Sequence, residues 1–177
     1  GLDSAAVTSL IDSDYISTRV TNDLININWQ PKWIGARIIA GSSFSTGNGA
    51  WTTISTLTVV ETDTSPAEAF TVTPSQFTIP AGVSKIRLKA SINDSTSVAG
   101  QMMLRFRING NQIAAGTQSE TESVGGDYSD AYSGVLDVVE GDVIVVQAYA
   151  DSVRTLDTDN ACWFEIEVVE GAVLNTS

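Results

Sequence analysis

Between Phe77 and Ile108 the side chains alternate with a period of two, and that pattern leaves few folds open. In its first half Ile86, Leu88, Ala90 and Ile92 share one parity, and Lys85, Arg87, Lys89 and Ser91 share the other. In its second half Met102, Leu104, Phe106 and Ile108 alternate with Met103, Arg105 and Arg107. Successive side chains of a strand point to opposite sides, so each half reads as a strand with one face in a core. The stretch from Asn93 to Gly100 is a polar connection with turn chemistry. Pro80-Ala-Gly82 closes off a short strand before it.

The rest of the chain is punctuated in the same way. Ala36 to Ala40 reads as a strand, followed by a Gly/Ser/Asn-rich loop from Gly41 to Gly49. That loop lacks the Lys-Ser or Lys-Thr of a phosphate cradle. Trp51 to Val60 reads as one Thr-rich strand, Glu61 to Pro66 as a loop, and Ala69 to Val72 and Gln76 to Ile79 as short strands. Asn109-Gly110 is the strongest short-range hairpin signal in the chain. Gln118 to Asp130 reads as a long acidic loop, Ala131 to Val139 as a strand, and Glu140-Gly-Asp142 as a tight turn. Val143 to Ala150 is the next strand, Asp151 to Asn160 a polar loop, and Ala161 to Val169 the last strand. Nine or ten strands at short spacing, with no helix among them, define an all-β sandwich or jelly roll.

Composition removes several functions. A chain of 177 residues supports one well-cored domain and an appendage. A net charge of −12 argues against nucleic acid and against anionic membrane surfaces. There is no histidine, so Ser-His-Asp and Cys-His nucleophiles are excluded. Cys162 is the single cysteine, which removes intrachain disulfides and Cys/His zinc sites. It alternates with Phe164, Ile166 and Val168 and so reads as a small core residue. No apolar run is long enough to span a bilayer, and no signal peptide is present.

The first 34 residues differ from the rest. Ala5 to Arg19 has no Gly or Pro, and Val7, Leu10, Ile11 and Tyr15 fall on one helical stripe after a cap at Asp3 or Ser4. A lone helix of about fifteen residues is marginal in water. It therefore either docks on its own domain or self-associates as the end of a stalk, and the second is preferred. Beginning at Gly1 rather than Met, the chain is open to an upstream portion. Trp29 and Trp33 read as anchors of a neck ahead of a sugar-stacking platform.

The order Phe77-Thr-Ile-Pro-Ala-Gly82, Asn109-Gly110, Leu136-x-x-x-Glu140-Gly-Asp-x-Ile144 and Trp163-Phe164 resembles the C1q/TNF-like trimeric jelly roll. Gly35-Ala-Arg-Ile-Ile39 and Asn48-Gly-Ala-Trp-Thr52 look like the opening strands of the phage and bacterial versions. In place of the family's Gly-Tyr-Tyr or Gly-Val-Tyr, this chain has Gly82-Val83-Ser84. The segment Gly1 to Tyr15 resembles one that recurs in tail-fibre and other structural proteins of marine phages. The resemblance implies a helix and neck at residues 1–34, a head at 35–170 and a tail at 171–177. It also implies a homotrimer at a virion surface or outside the cell, joined to upstream fibre or virion proteins.

The expected function is a non-enzymatic head that binds a host-surface receptor, a glycan among the candidates. A carbohydrate-binding module or a bacterial C1q-like surface protein is the alternative. Receptor contact is expected in loops at Asp127, Tyr128, Asp130, Asp157 and Asp159, because loops on a rigid scaffold vary without disturbing the core. Acid pairs there admit a glycosidase reading, but solvated loops account for them in a chain with 21 acids. No cofactor is expected; calcium is the one metal these oxygens suit, without EF-hand spacing. By the resemblance, the strand that carries Lys85, Arg87 and Lys89 and the closing strand are antiparallel neighbours in the inner sheet. That arrangement sets Lys85, Arg87 and Lys89 across from Glu165 and Glu167, with Trp163 near them, at the subunit contact. Leu10, Ile11 and Tyr15 would add to it from the helix.

Overall fold

A computed structural model of the protein describes residues 35–63, 70–73, 75–96, 100–113, 120–121 and 127–171, and every regular element in them is a strand. The expected N-terminal helix, with Leu10, Ile11 and Tyr15, and the aromatics Trp29 and Trp33 lie outside the described residues. The strands are β1 (Gly35–Ala40), β2 (Phe44–Ser45), β3 (Thr52–Thr53), β4 (Leu57–Asp63), β5 (Thr71–Thr73), β6 (Gln76–Thr78), β7 (Val83–Asp94) and β8 (Gly100–Ile108). They continue with β9 (Asn111–Gln112), β10 (Glu120–Thr121), β11 (Asp127–Tyr132), β12 (Leu136–Asp137), β13 (Val143–Ala150), β14 (Thr155–Leu156) and β15 (Asp159–Gly171).

All pairings are antiparallel and build two sheets. The first runs β2-β14-β7-β15-β1-β4, with β11 and β12 also paired to β7. The second runs β10-β8-β13-β6-β5, with β3 on β13 and β9 on β8. The sheets face each other through the apolar parity of every long strand. Ile86, Leu88, Ala90 and Ile92 of β7 are buried, as are Met102, Leu104 and Phe106 of β8. Phe164 of β15 bridges the layers, with its ring 4.8 Å from Phe77 of β6 and 5.8 Å from Phe106. Each such ring contributes about 1.5–3 kcal/mol by leaving water. Cys162 is buried as expected, and burial pushes its thiol pKa up. Among the described residues the architecture is a jelly-roll sandwich.

Two corners are built by side chains as well as backbone. Asn109 and Gly110 have φ of 50° and 78°, the pair of positive values that a tight hairpin between β8 and β9 requires. Asn109 Oδ1 also accepts from the Val143 N–H at 2.9 Å, and its Nδ2 donates to Asp142 Oδ1 at 2.6 Å. The Glu140-Gly-Asp142 turn appears where expected, closed by Val139 N–H donating to Asp142 Oδ2 at 2.9 Å.

Several boundaries differ from the expectation. Trp51 to Val60 is not one strand. It breaks at Ser55-Thr56, because Ile54 and Leu57 both bury while β3 joins the second sheet and β4 the first. Ala131 to Val139 also breaks, at Ser133 to Val135, where Ser133 Oγ accepts from the Leu88 N–H at 2.8 Å in place of a ladder bond. β7 and β8 lie in different sheets, so their connection crosses the end of the sandwich. Asp94, expected in that polar connection, ends β7 and is buried. The reason is Arg154, itself 1% exposed, whose Nη1 donates to Asp94 Oδ2 at 2.6 Å. Asp94 Oδ1 accepts from the Thr96 N–H at 2.8 Å, and Arg154 N–H donates to Thr46 Oγ1 at 2.9 Å. A buried carboxylate is tolerable only with this kind of partner.

Candidate functional site

The outward parity of the first sheet assembles charge from four strands. In the β7–β15 ladder Lys89 stands across from Glu165, Arg87 across from Glu167, and Ser91 across from Trp163. Lys89 Nζ lies 3.3 Å from Glu165 Oε1 and 3.8 Å from Glu167 Oε2. The register expected for Lys85, Arg87, Lys89, Trp163, Glu165 and Glu167 is the one observed, except at Lys85. A bulge between Val168 and Glu170 slips the ladder there, so Lys85 meets Glu170, which accepts a hydrogen bond from its Nζ. That bond and the carboxylate charge raise the Lys85 pKa.

On the other side of β15, β1 brings Arg37 across from Glu165. Its guanidinium sits 4.4 Å from the centroid of the Trp163 ring, and its Nε is 2.8 Å from Glu61 Oε2 of β4. Glu165 is only 15% exposed in its side chain. The face is therefore a row of interlocked pairs around a half-buried tryptophan, held flat by the alternation of the strands beneath it.

The loop residues expected to touch a receptor do not all lie in loops. Asp127, Tyr128 and Asp130 belong to β11, which pairs with the end of β7: Asp127 opposite Asp94, Tyr128 opposite Asn93, Asp130 opposite Ser91. The strand forms because Ser129 and Ala131, both fully buried, fit under it; Ser129 Oγ donates to Met102 O at 3.1 Å. Tyr128, Asp130 and Tyr132 consequently share the outward face with Lys89 and Ser91. Tyr128 and Tyr132 are more than half exposed. Asp159 is likewise the first residue of β15, opposite Ala40, because its chain joins the ladder early. Asp157 remains in the connection before it, where its Oδ2 accepts from Asn93 Nδ2 at 2.9 Å. The two groups thus converge: the tyrosine strand and the basic strand form one surface rather than a loop site and a separate contact.

Arg37, Glu61 and Glu170 are members of this surface that the sequence reading did not assign to it. For Arg37 a signal existed, since it alternates with Ala36 and Ile38, which are buried. For Glu170 none did, because a bulge is invisible to periodicity. Among the described residues no group of three or more Asp, Glu or Cys side chains converges as a metal site. No helix among them is long and apolar enough to cross a membrane.

This arrangement of two antiparallel sheets is a TNF-like jelly-roll sandwich. Solved structures carry the same fold. The vertex protein P5 of PRD1 superposes with a TM-score of 0.52 at 16% identity, over 77% of this chain and 96% of that one. Murine APRIL superposes with a TM-score of 0.50 at 12% identity, over 78% of this chain and all of the other. At these identities the likeness is one of fold. No family model matches the sequence, and no curated protein does.

Proposed function

We propose that the chain is the non-enzymatic head of a homotrimeric viral fibre or adhesin, displayed on a virion surface or outside the cell, where it binds a host-surface receptor. The observation that carries this reading is the outward face of the first sheet. Its ion pairs are half-buried and its Trp163 is clamped by Arg37, whereas a solvated sheet face has no use for such ordering. Long charged side chains held in one geometry lose entropy that water alone does not repay. A neighbouring subunit that encloses this face in a threefold ring does. The fold shared with a virion vertex protein supports a place on a capsid or fibre. The tyrosine strand at the edge of the face supplies rigid amphipathic anchors for a receptor seated beside the subunit contact.

The test is the mass in solution together with attachment to host cells. Light scattering should give about three times the 18.7 kDa of the chain. A stable monomer at micromolar concentration would overturn the trimer. Replacing Tyr128 and Asp130 together should abolish attachment and leave the mass unchanged; unaltered attachment would remove the tyrosine strand from the receptor site.

A further inference from the structure

The outward face of the second sheet has a different chemistry. On β8, Met103, Arg105 and Arg107 point away from the core, alternating with buried Met102, Leu104 and Phe106. Arg105 stands across from Gln147, and Arg107 across from Val145 on β13 and Gln112 on β9. No outward position of β3, β6, β8, β9 or β13 is a carboxylate, although the chain has 21 acids. The nearest acid in this ladder, Glu120, is opposite Gln101, beyond Met103. Elsewhere among the described residues Arg37, Lys85, Lys89 and Arg154 each form an ion pair, and Arg87 has Glu167 across from it. Among the described residues, neither Arg105 nor Arg107 has a carboxylate across from it in the ladder.

Arg105 is nonetheless held in place. Its Nε donates to Gln147 Oε1 at 2.8 Å and its Nη1 to Gln112 Oε1 at 3.1 Å. Gln147 in turn donates to Thr53 Oγ1 at 3.1 Å. The Arg105 guanidinium lies 4.2 Å from the Trp51 ring centroid, and Trp51 meets Tyr149 at 5.5 Å. Burial and the charge of Arg107 both push the Arg105 pKa down. Arg107 Nε is buried with no hydrogen-bond partner. A buried donor left unmade is costly, and two arginines two residues apart on one strand face have backbone positions only about 7 Å apart.

We infer that this face binds an acidic saccharide, its anionic group taken by Arg107 and Arg105 and its sugar ring by Trp51 and Tyr149. A single oxyanion relieves the repulsion of the pair, since the guanidinium fork matches carboxylate, sulfate or phosphate oxygens. The aromatic pair beside it, inclined at 46°, offers an angled apolar cleft edge for the C–H face of a sugar, with Arg105 over the Trp51 ring. A long polyanion is a poor occupant, because the net charge of −12 repels it. The site deepens the attachment role proposed above and rests on it for its biological meaning. It lies on the sheet opposite the proposed subunit contact, so a trimer leaves it open.

The experiment is calorimetric titration of the full chain with sialyllactose, 3′-sulfated lactose and a glucuronate-containing tetrasaccharide, against lactose and sodium sulfate. At least one acidic saccharide should bind about tenfold or more tightly than lactose and sulfate, an effect of at least about 1.4 kcal/mol. Arg107→Ala should remove that advantage without lowering the melting temperature, and Arg107→Lys should restore only part of it. Trp51→Phe should keep binding that Trp51→Ala loses. Equal binding of lactose, equal binding of sulfate, no binding of any acidic saccharide at millimolar concentration, or an unaffected Arg107→Ala variant would each overturn the inference. Light scattering on the same sample separates the two proposals: a monomer that binds refutes the trimer alone, and a trimer that does not bind refutes this site alone.

Discussion

Two aspartates near one arginine show how position decides what a charge is worth. Asp94 is buried against Arg154, whereas Asp151, with a side chain 44% exposed, only approaches the same guanidinium at 3.8 Å. Removing the buried partner leaves an uncompensated charge in the interior, so Asp94→Ala should cost about 3–5 kcal/mol in chemical denaturation. Asp151 behaves differently. Its Oδ2 accepts from the Gln101 N–H at 2.9 Å, and this bond is the main reason its pKa is lowered. A depressed carboxylate adds stability that is full above the unfolded value of about 3.9 and lost as the pH falls through the folded one. Asp151→Asn should therefore melt lower than the wild type at pH 6, with the gap closing as the pH drops below about 4. A gap independent of pH would mean that the carboxylate charge is not what Gln101 uses. Gly100 completes this corner: its φ is +138°, and a Cβ there would strike the Asp151 carboxylate.

At the scale of elements, Asn109-Gly110 is a hinge between β8 and β13 as much as a hairpin. The Asn109 side chain ties the turn to Asp142 and to the Val143 N–H, and its own φ of 50° is one that asparagine tolerates better than alanine. Asn109→Ala should destabilise by about 1–2 kcal/mol, and Asn109→Gly by less, since glycine keeps the conformation while losing the bonds. An alanine variant no worse than the glycine one would deny the conformational part. The same element shows why much of the fold was legible: Ile86 to Ala90 of β7, Met102 to Phe106 of β8 and Cys162 to Ile166 of β15 alternate, and Asn-Gly and Gly-Asp corners have local chemistry. β11 was not legible, because its buried positions are Ser129 and Ala131, which carry no apolar signal. It is a strand through its pairing with β7, and that is a tertiary fact. The break between β3 and β4 was hidden similarly, since a threonine-rich run suits a strand whether or not it changes sheets. For the candidate site, the basic row of β7 and its glutamates were legible by parity, given the resemblance that made the strands neighbours. Tyr128 and Asp130 were legible as residues but not as members of the same face.

For the whole molecule, each copy carries a net charge of −12, so three copies repel unless their contact is locally complementary. In the trimer proposed above, the first sheet is the face assigned that role. Glu165, Glu167, Glu170 and Glu61 stand within a few ångströms of Lys89, Lys85 and Arg37, with Arg87 across from Glu167. Left in water, such pairs are worth about 0–1 kcal/mol each. Enclosed by a neighbouring subunit they become conditional on one another, and removal of one partner can cost about 3–5 kcal/mol. Lys89→Ala and Glu165→Ala, whose side chains lie 3.3 Å apart, should each raise the concentration at which the trimer dissociates, measured by light scattering on dilution. The double variant should lose less than the sum, because the second truncation removes a charge already unpaired at the contact. Added salt should weaken the wild-type trimer only slightly, since an enclosed face is poorly screened. Strictly additive, small effects, with the trimer intact at every dilution, would mean that this face looks at water and that the subunits meet elsewhere.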